Sequence, residues 1–379
     1  MKLYEYEAKT ILKTYGIPRP RGEIASNPTE VRETAASLKP PLVIKAQVLV
    51  AGRGKAGGIL FADTIEEAEK AAQELLGKQV KGVSVKKILV EEKIPIVKEL
   101  YFGLTVDRFE RRYVMIASAH GGMEIEEIAA KTPNAIIKTL INPQEGFREA
   151  DAKQVAGQLG YSGKQLDELA RILNQLYRAG MDYDAELIEM NPLAETADGA
   201  FVALDARLII DDNALFRHPE FEKLFFTEER ENTLQEIEAE KNGLSYIKLD
   251  GNVGVVGNGA GLVMATLDMI QLFGGNAADF LDLGGGAPVE KISAALMLVL
   301  SDPNVKAVLV NILGGITHCD DVARAIVDAK RNGSKPFVIR LVGTNDEEGK
   351  RILNEAGIPV LDSMEDAAKR AVQIVKEAA

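Results

Sequence analysis

A glycine-rich stretch early in the chain has the composition of a phosphate-binding loop. Residues 52–58 run Gly-Arg-Gly-Lys-Ala-Gly-Gly and follow a short apolar segment that carries Lys45. Glycines let backbone N–H groups approach phosphate oxygens closely, and Arg53 and Lys55 add positive charge. The spacing differs from the GxxxxGK[ST] loop of P-loop proteins. The stretch therefore predicts an anion site of another kind, and the alternative is a flexible surface turn.

Two oxygen-bearing side chains further along predict a magnesium site. Asn191 lies in the segment Glu-Met-Asn-Pro-Leu and precedes Asp205 by fourteen residues, both at the ends of neighbouring predicted strands. A hairpin would bring Asn191 and Asp205 close together. A carboxylate and an amide oxygen suit Mg²⁺, a hard cation that also keeps water and phosphate ligands. The alternative is an acidic turn that only solvates the hairpin.

Three glycine-rich turns in the last third of the chain each join a strand pattern to a helix pattern. They cover residues 257–261, 283–287 and 311–317. The first lacks the G-x-G-x-x-G spacing of dinucleotide-binding proteins, because Leu262 stands where the third glycine belongs. The free N–H groups of a helix N-terminus still favour a carboxylate or a phosphate. Such turns also recur in doubly wound sheets for packing alone, which is the alternative for all three.

The elements around these turns alternate in a regular way. From residue 251 onward, apolar β-branched runs alternate with amphipathic helices, as in parallel strands buried on both faces. The expected strands cover 251–256, 277–283, 305–313, 336–342 and 358–363, and the helices begin near Ala260, Pro288, Thr317, Asp346 and Met364. This alternation predicts an α/β, flavodoxin-like, doubly wound domain.

The first two thirds of the chain show an α+β pattern with hairpins. The expected helices cover 4–15, 65–76, 152–159 and 163–179, and the strand patterns cover 40–48, 59–63, 88–96, 98–107, 112–120, 185–193 and 201–210. We expect a first domain over residues 1–218, a charged helical connector over 219–243, and the doubly wound domain over 244–379.

Composition excludes several classes of function. The chain has 379 residues, a formal net charge of −12 and a single cysteine, Cys319, which excludes an internal disulfide. The acidic balance disfavours general binding to nucleic acid or to anionic membranes, since both need a basic face. The polar N-terminus shows no apolar signal region, and no apolar run is long enough to span a membrane. The expected location is cytoplasmic.

The motifs, taken in order along the whole chain, resemble those of the succinyl-CoA synthetase (succinate–CoA ligase, ADP-forming) β-subunit family. The matching segments are LYEYEAKTILKTYGIPRP, KAQVLVAGRGKAGG, VKELYFGLTVDR, EMNPL, DDNALFRHP, KLDGNVGVVGNGAGLVMATLD, FLDLGGGA and VNILGGITHCD. The resemblance implies an ATP-grasp domain followed by a flavodoxin-like CoA-ligase domain. It also implies a role in the tricarboxylic acid cycle and a partner α subunit, in a heterodimer or a heterotetramer.

The same resemblance implies roles for individual residues. The implied nucleotide-binding residues are Lys45, Gly52, Arg53, Gly54, Glu91, Ile94 and Glu99. Asn191 and Asp205 would hold Mg²⁺, and Glu189 would be the catalytic residue that steadies a phosphohistidine loop of the partner. The implied succinate-binding residues are Asn258, Gly315, Ile316 and Thr317. The nucleotide would be ATP or ADP, with GTP or GDP as the alternative, and CoA would be bound mainly by the α subunit.

The implied reaction interconverts succinate, ATP and CoA with succinyl-CoA, ADP and phosphate. It passes through a phosphohistidine on the α subunit and through succinyl phosphate. This agrees with the lack of a convincing nucleophile here, where no Gly-x-Ser-x-Gly elbow occurs. Three alternatives stay open: a ligase β subunit for malate or another acid, a GTP-preferring variant, and a non-catalytic nucleotide-binding regulatory protein. The failed glycine spacing counts against an NAD oxidoreductase.

Overall fold

The computed structural model describes residues 1–50, 52–221, 234–332 and 335–377. The chain divides into two compact units, Met1–Phe225 and Phe226–Ala379. Residues 222–233, in the middle of the predicted connector, lie outside the described residues, so the connector remains a prediction. Among the helices in the described ranges, none combines the length and the apolarity that crossing a membrane requires.

The first unit contains six α-helices and twelve strands within its described residues. The helices are α1 (Glu5–Thr14), α2 (Pro28–Leu38), α3 (Ile65–Leu75), α4 (Ile125–Lys131), α5 (Glu149–Gln158) and α6 (Gly163–Asp182), with 3-10 turns at Pro133–Ala135 and Asp212–Arg217. The strands are β1 (Gly22–Ala25), β2 (Leu42–Ala46), β3 (Ile59–Ala62), β4 (Gln79–Val80), β5 (Val83–Ser84), β6 (Ile88–Glu92), β7 (Ile96–Asp107), β8 (Arg112–Ser118), β9 (Ile136–Leu140), β10 (Ala185–Thr196), β11 (Phe201–Ala203) and β12 (Ala206–Ile210).

Two antiparallel sheets organise the first unit. One has the strand order β1-β6-β2-β3, and the other has the order β11-β10-β7-β8-β9, with β12 also paired to β10. Helices α2 and α3 share a core with the first sheet. Helices α1, α5 and α6 share a larger core with the second sheet. Each sheet therefore has its own apolar core, and the linker between β6 and β7 joins the two.

Helix α1 has charged residues on its buried face. Its N-terminus is capped, because the Tyr4 N–H donates to Glu7 Oε2 at 2.9 Å. The side of α1 that faces the core carries apolar residues together with Glu5 and Lys9, both buried. Buried charges are stable only when they are paired, so these two residues indicate a polar site within the unit.

Strand β1 and helix α2 lie in a region where the sequence pattern predicted no element. The helix begins with a clear local signal, because the Glu30 N–H donates to Asn27 Oδ1 at 3.0 Å and Pro28 takes the first helical position. An Asn-Pro pair followed by Glu is a sequence signal for a helix N-terminus, so this helix was predictable from the sequence.

The strand predicted over 201–210 is wrong as a single element, because the structure divides it into β11 and β12. Both pair with β10, whose register against β7 shifts between Met190 and Leu193. Asn191 and Pro192 lie at this irregularity, and the partner strand breaks opposite them at Leu204 and Asp205. The break removes Asp205 from the regular strand ladder.

The second unit alternates strands and helices. Its described elements are α7 (Leu234–Lys241), β13 (Ser245–Lys248), β14 (Val253–Gly257), α8 (Ala260–Leu272), β15 (Asp279–Asp282), α9 (Val289–Ser301), β16 (Ala307–Gly314), α10 (Cys319–Asn332), β17 (Phe337–Gly343), α11 (Asp346–Glu355) and α12 (Met364–Glu377). The strand order is β13-β15-β14-β16-β17, and the last four of these strands are parallel. Helices α8 and α12 share one core and α9 and α10 another, as expected for the two faces of the sheet. The predicted flavodoxin-like, doubly wound fold is confirmed.

The predicted fifth strand over 358–363 is wrong. In the structure this segment makes a single parallel bridge, between Ile339 and Val360. Pro359 has no N–H to donate, which limits the ladder that this segment can form. The fifth strand of the sheet is instead β13, which runs antiparallel to β15 at one edge.

Candidate active site

Six charged side chains form one cluster in the first unit. They are Glu5 and Lys9 on α1, Lys45 on β2, Arg53 in the glycine-rich loop, Glu91 on β6, and Asp205 between β11 and β12. Five of these side chains are at most 8% exposed, whereas Asp205 is 33% exposed. Three cations face three carboxylates, so the charges balance. The exposure of Asp205 makes it the carboxylate of the cluster most accessible to solvent.

Lys45 lies between two carboxylates. Its Nζ is 2.8 Å from Glu5 Oε1 and 2.9 Å from Glu91 Oε2, and it also donates to the Leu204 carbonyl. Burial alone would lower the pKa of Lys45, but the neighbouring Glu5 and Glu91 carboxylates outweigh it and raise that pKa above its usual value. Lys45 is therefore a permanent cation.

Arg53 joins the glycine-rich loop to both sheets. Its Nη1 donates to the carbonyl of Ala46, the last residue of β2, at 2.8 Å. Its Nη2 contacts the Glu5 carboxylate and lies 3.0 Å from Asp205 Oδ2. Burial favours the neutral form, but the Asp205 and Glu5 charges outweigh it and raise the pKa of Arg53. A second fixed cation thus lies beside Asp205.

The loop itself needs glycine at its first position. Gly52 has a φ of +70°, and a Cβ there would lie 2.9 Å from Lys81 Nζ and 3.1 Å from Glu124 Oε1. The loop closes when the Gly58 N–H donates to the Arg53 carbonyl at 2.8 Å. Gly54 is exposed at the surface of the loop. The loop therefore buries the Arg53 side chain and exposes the backbone of Gly54 at its surface.

The structure brings the two predicted metal ligands together. The Asn191 N–H donates to the Asp205 carbonyl at 3.2 Å. The Asn191 side chain accepts from the Gly122 N–H and donates to the Met123 carbonyl, each at 2.8 Å. Burial raises the pKa of the Asp205 carboxyl, with the Arg53 charge acting in the opposite direction. Oxygen donors of these two kinds fit Mg²⁺, and Asp205 already pairs with a cation, Arg53.

A cavity of about 400 Å³ adjoins these residues. It is lined by Ile96, Val97, Lys98, Glu99, Ala119, His120, Gly121 and Met123. Met123 is also the residue whose carbonyl Asn191 contacts, so the cavity and the predicted metal ligands share a wall. Glu99 lies in this wall, and Ile94 is half-buried in the linker between β6 and β7. Its volume lies within the range of small-molecule sites in proteins.

Glu91 and Glu99 lie in different surroundings, although the resemblance implies that both bind the nucleotide. Glu99 lines the cavity, whereas Glu91 belongs to the charged cluster. Glu91 is 1% exposed and faces inward, where Lys9 Nζ donates to both of its oxygens at 2.8 Å and 2.7 Å. Its assignment to the nucleotide stays a prediction, and its contacts are those of a residue that supports Lys45.

Glu189 lies on β10, two residues before Asn191. The Tyr101 hydroxyl donates to Glu189 Oε2 at 3.0 Å, and Arg207 Nη1 is 4.0 Å from Oε1. The side chain is 17% exposed. Burial raises the pKa of the Glu189 carboxyl above its usual value, while Tyr101 and Arg207 act in the opposite direction. The residue is therefore an oriented carboxylate with a shifted pKa, the type found at functional sites.

In the second unit, Asn258 connects the ends of β14 and β16. Its Oδ1 accepts from the Leu313 N–H at 2.9 Å, and its Nδ2 donates to the Leu313 carbonyl at 3.0 Å. These are the first and third parallel strands, and the strand order reverses between them. Ligands of doubly wound sheets bind at the carboxyl ends of strands at such a point.

The three glycine-rich turns meet at the same edge of the sheet. Gly286 N–H donates to the buried Thr317 Oγ1 at 3.1 Å, which joins the second turn to the third. Asp282 Oδ1 accepts from Gly259 N at 2.6 Å and from Gly284 N at 2.7 Å, which joins the first turn to the second. Gly315 and Ile316 lie between β16 and Thr317, and Ile316 is 77% exposed.

Sequence reasoning missed four residues of the first site. They are Glu5, Lys9, Gln47 and Tyr101. For Glu5 and Lys9 a signal existed, because they lie one helical turn apart on the same side of α1 as its apolar residues, where a surface helix carries no charge. Gln47 and Tyr101 had no such signal, since their roles depend on contacts between distant segments.

Comparisons with known proteins decide the family. The family models described as ATP-grasp domain and CoA-ligase match residues 2–195 and 256–375. A protein of Ignicoccus hospitalis described as succinate–CoA ligase (ADP-forming) subunit beta is 50% identical over 380 residues, with 100% of both chains covered. The chain belongs to the succinate–CoA ligase β-subunit family. The predicted family and both predicted domain types are thereby confirmed.

Other members of the succinate–CoA ligase β-subunit family differ in the nucleotide that their names give. A Roseiflexus sp. protein described as ADP-forming is 48% identical, covering 98% of this chain and 99% of its own. A Thermus thermophilus protein described as GDP-forming is also 48% identical, covering 100% of both chains. A solved structure of ATP citrate lyase from Methanothrix soehngenii, in complex with citrate and coenzyme A, has a TM-score of 0.77 at 20% identity, covering 98% of this chain and 99% of that one. It shows a shared fold.

Proposed function

We propose that this chain is the nucleotide- and carboxylate-binding subunit of a succinate–CoA ligase. Its first unit binds a magnesium nucleotide. This nucleotide is ATP or ADP, and the alternative to be tested is GTP or GDP. Its second unit binds succinate. With an α subunit, which supplies a phosphohistidine and most of the CoA site, it interconverts succinate, ATP and CoA with succinyl-CoA, ADP and phosphate.

The observation that carries the proposal is the convergence of Lys45, Arg53 and Asp205. Lys45 and Arg53 both contact the Glu5 carboxylate, and Arg53 also pairs with the partly exposed Asp205, beside a glycine-rich loop. Phosphate groups bind to cations and backbone N–H groups, whereas their magnesium ion binds to carboxylates. One cluster therefore contains ligands for the phosphate groups and for the magnesium ion of a magnesium nucleotide.

Binding would exchange the partners of this cluster. Arg53 now donates to Asp205, 3.0 Å away. A nucleotide phosphate would replace Asp205 as the acceptor of Arg53, and Asp205 would be released to face a cation. Because Mg²⁺ offsets part of the phosphate charge, the cluster would meet a smaller net negative charge than the phosphates alone would bring.

Asp205 and Asn191 would hold the magnesium ion. When bound, Mg²⁺ supplies charge neutralisation for the phosphate oxygens during phosphoryl transfer. Asp205 contributes a carboxylate oxygen, and Asn191 contributes an amide oxygen that already accepts from the Gly122 N–H. Asn191 also positions residues 122 and 123 beside the cavity, so the same side chain supports the nucleotide pocket.

Glu189 would orient the partner's phosphohistidine loop. Its carboxylate is held by the Tyr101 hydroxyl at 3.0 Å and lies two residues from Asn191. A carboxylate beside an imidazole fixes the ring orientation and favours its charged form. The raised pKa of Glu189 fits a site from which water is partly excluded.

Succinate would bind where the three glycine-rich turns of the second unit meet. Asn258, Gly315, Ile316 and Thr317 surround the start of a βα connection, where backbone N–H groups favour anions. Asn258 is held rigidly by two bonds to Leu313. Succinate carries two carboxylates, and this edge would bind one of them.

The test is an equilibrium titration of the αβ complex with MgATP and with MgGTP. Arg53→Gln should weaken nucleotide binding by roughly 10- to 100-fold, because a charge-assisted phosphate contact is lost. Arg32→Gln is the matched control, since Arg32 is exposed on α2 and pairs with Glu66 and Glu69 of α3. Unchanged binding in Arg53→Gln would contradict the proposed phosphate site.

A further inference from the structure

The Glu5 carboxylate contacts all three cations of the buried cluster. Its Oε1 is 2.8 Å from Lys9 Nζ and 2.8 Å from Lys45 Nζ, and its Oε2 contacts Arg53. Gln47 Nε2 donates to the same oxygen at 3.2 Å. The Glu5 side chain is 3% exposed, so these contacts replace water entirely.

Four of the charges form a closed ring. Lys9 contacts Glu5 at 2.8 Å and Glu91 at 2.7 Å, and Lys45 contacts Glu91 at 2.9 Å and Glu5 at 2.8 Å. Each carboxylate therefore touches both ammonium groups. A ring of alternating charges fixes every member from two sides, which a single ion pair cannot do.

The ring joins elements of both sheets. Glu5 and Lys9 lie on α1, which is tied to the larger sheet where the Leu3 N–H donates to the Leu208 carbonyl at 2.9 Å. Lys45 and Glu91 lie on β2 and β6 of the smaller sheet. The ring thus sets the position of Lys45 relative to Asp205, which follows β11 of the larger sheet.

Glu5 remains an anion in this environment. Burial alone would raise its pKa, but the charges of Arg53, Lys45 and Lys9 outweigh it and hold the pKa of Glu5 well below its usual value. Buried ion groups of this kind are often no more stabilising than apolar residues of the same volume. Their geometry is therefore a better explanation for the ring than its contribution to folding.

We propose that Glu5 is a positioning residue of the nucleotide site, which holds Lys45 and Arg53 in place for the phosphates. The inference rests on the proposed function and extends it to α1, to which no role was assigned. Lys9 and Glu91 support the arrangement from the other side of the ring. Glu91 then acts on the nucleotide through Lys45 rather than by contact.

A competing effect makes the proposal testable. A buried anion beside Lys45 and Arg53 also opposes the binding of phosphate, which is itself an anion. If repulsion were the main effect of Glu5, removing its charge would tighten nucleotide binding. If positioning is the main effect, removing it weakens binding. The direction of the change therefore decides between the two.

The experiment uses the αβ complex carrying Glu5→Gln. We expect the Kd for MgATP and the nucleotide KM to rise about tenfold, because Gln keeps the volume and loses the negative charge that faces three cations. The KM for succinate should stay within about twofold, since that site lies in the other unit; a general loss of structure would change both KM values. Unchanged or tighter MgATP binding would overturn the proposal.

Glu5→Asp provides a second variant if Glu5→Gln folds poorly. It keeps the charge and withdraws the carboxylate by one methylene, so only position changes. We expect MgATP binding several-fold weaker than wild type but stronger than in Glu5→Gln. Wild-type affinity in Glu5→Asp would overturn the positioning role.

Asp184→Asn is the matched control. Asp184 accepts from Arg217 Nη2 at 2.6 Å, so the change also removes a carboxylate from a paired cation, but directly before β10 and away from the ring. Its MgATP affinity should equal that of wild type. A wild-type complex that binds no nucleotide would refute the proposed function itself, whereas normal wild-type binding with an unaffected Glu5→Gln would refute only the role of Glu5.

Discussion

Arg53 and Asp205 are 152 residues apart in the chain and form an ion pair in the first unit, with 3.0 Å between Nη2 and Oδ2. One residue belongs to a glycine-rich loop and the other to the break between β11 and β12. The pair joins the part of the site proposed for phosphate to the part proposed for magnesium. Nucleotide binding at both parts would separate Arg53 from Asp205.

Replacing Asp205 by Asn tests the magnesium assignment. The carboxylate charge is lost while the side-chain volume is kept, so Mg²⁺-dependent phosphorylation of the α subunit should fall roughly 100-fold or more. Transfer of labelled phosphate from ATP to the α subunit, at a fixed magnesium concentration, measures the effect.

Asp198→Asn is the control for that experiment. Asp198 lies in the exposed turn between β10 and β11, where its carboxylate accepts from the Thr196 hydroxyl of the same turn. It should leave labelling within about twofold of wild type. Normal labelling of Asp205→Asn at ordinary magnesium concentration would remove Asp205 from the metal site.

Replacing Glu189 by Gln tests its proposed role beside the partner's histidine. The rate of phosphoryl transfer should fall by roughly 10- to 100-fold, while the Kd for MgATP changes little, because the carboxylate acts on the transfer and not on nucleotide binding. Rapid-quench measurement of α-subunit phosphorylation separates the two quantities. An equal loss of binding and rate would make Glu189 a nucleotide or structural residue.

The pH dependence of that rate should also change. Burial raises the pKa of Glu189, so the carboxylate becomes protonated at a higher pH than an exposed glutamate does. If the ionised form is required, the wild-type rate falls on the acid side as pH drops through that raised pKa. The acid limb should flatten in Glu189→Gln, and an identical limb in both proteins would refute the assignment.

Local patterns predicted the second unit well because its elements are regular. The expected helix starts at Ala260 and Met364 coincide with the starts of α8 and α12. Parallel strands buried on both faces are continuous apolar runs, and such runs are visible without tertiary information. The failure at 358–363 came from Pro359, whose missing N–H mattered more than the β-branched residues around it.

The first site was only partly predictable, because its geometry depends on segments far apart in the chain. The hairpin argument brought Asn191 and Asp205 together correctly, since it needed only neighbouring strands. The ring around Glu5 needed α1, β2 and β6 to converge, which no local pattern specifies. The sequence contained one signal of the ring, the charged pair Glu5 and Lys9 on the buried side of α1. This signal indicates that the pair has charged partners, but it does not identify Lys45 and Glu91.

Replacing Asn258 by Asp tests the carboxylate site of the second unit. The change removes the Nδ2 donor to the Leu313 carbonyl and adds a negative charge at the sheet edge. The KM for succinate should rise about tenfold or more, and the Kd for MgATP should not change. Steady-state kinetics of the αβ complex give the first value and titration gives the second.

Asn354→Asp is the matched control for the added charge. Asn354 is exposed in the last turn of α11, so the same substitution there should leave the succinate KM unchanged. A normal succinate KM in Asn258→Asp would exclude this turn as the succinate site.

A buried aspartate in the second unit predicts a pH-dependent stability. Asp279 is fully buried on β15, where Oδ1 accepts from the Val255 N–H at 3.1 Å. Within the described residues, Oδ2 has no hydrogen-bond partner. Burial raises the pKa of this carboxyl to about 8, with the Val255 N–H and Lys248 acting against it. The folded chain therefore holds a proton that the unfolded chain releases.

The sign of the effect follows from proton binding. Between about pH 4 and pH 8 the folded state binds more protons than the unfolded state, so the free energy of unfolding falls as pH rises through that window. One proton corresponds to at most about 1.4 kcal/mol per pH unit. Chemical denaturation of the full chain at pH 5.5 and pH 8, followed by circular dichroism, should show a flatter dependence in Asp279→Asn.

Asp250→Asn is the control for this measurement, because Asp250 is exposed in the same unit. Its free energy of unfolding should follow the wild-type pH dependence. If Asp279→Asn also kept the wild-type dependence, the buried carboxyl would not be the proton-binding group.

The central claim is that this chain supplies the nucleotide and carboxylate sites of a ligase completed by an α subunit. The most direct measurement is succinyl-CoA formation by the chain co-expressed with its α subunit, with succinate, CoA and Mg²⁺ fixed, ATP and GTP compared, and the chain alone as control. We predict product only when both subunits are present, with one nucleotide clearly preferred. A folded complex that binds nucleotide but forms no succinyl-CoA with ATP or GTP would contradict the claim.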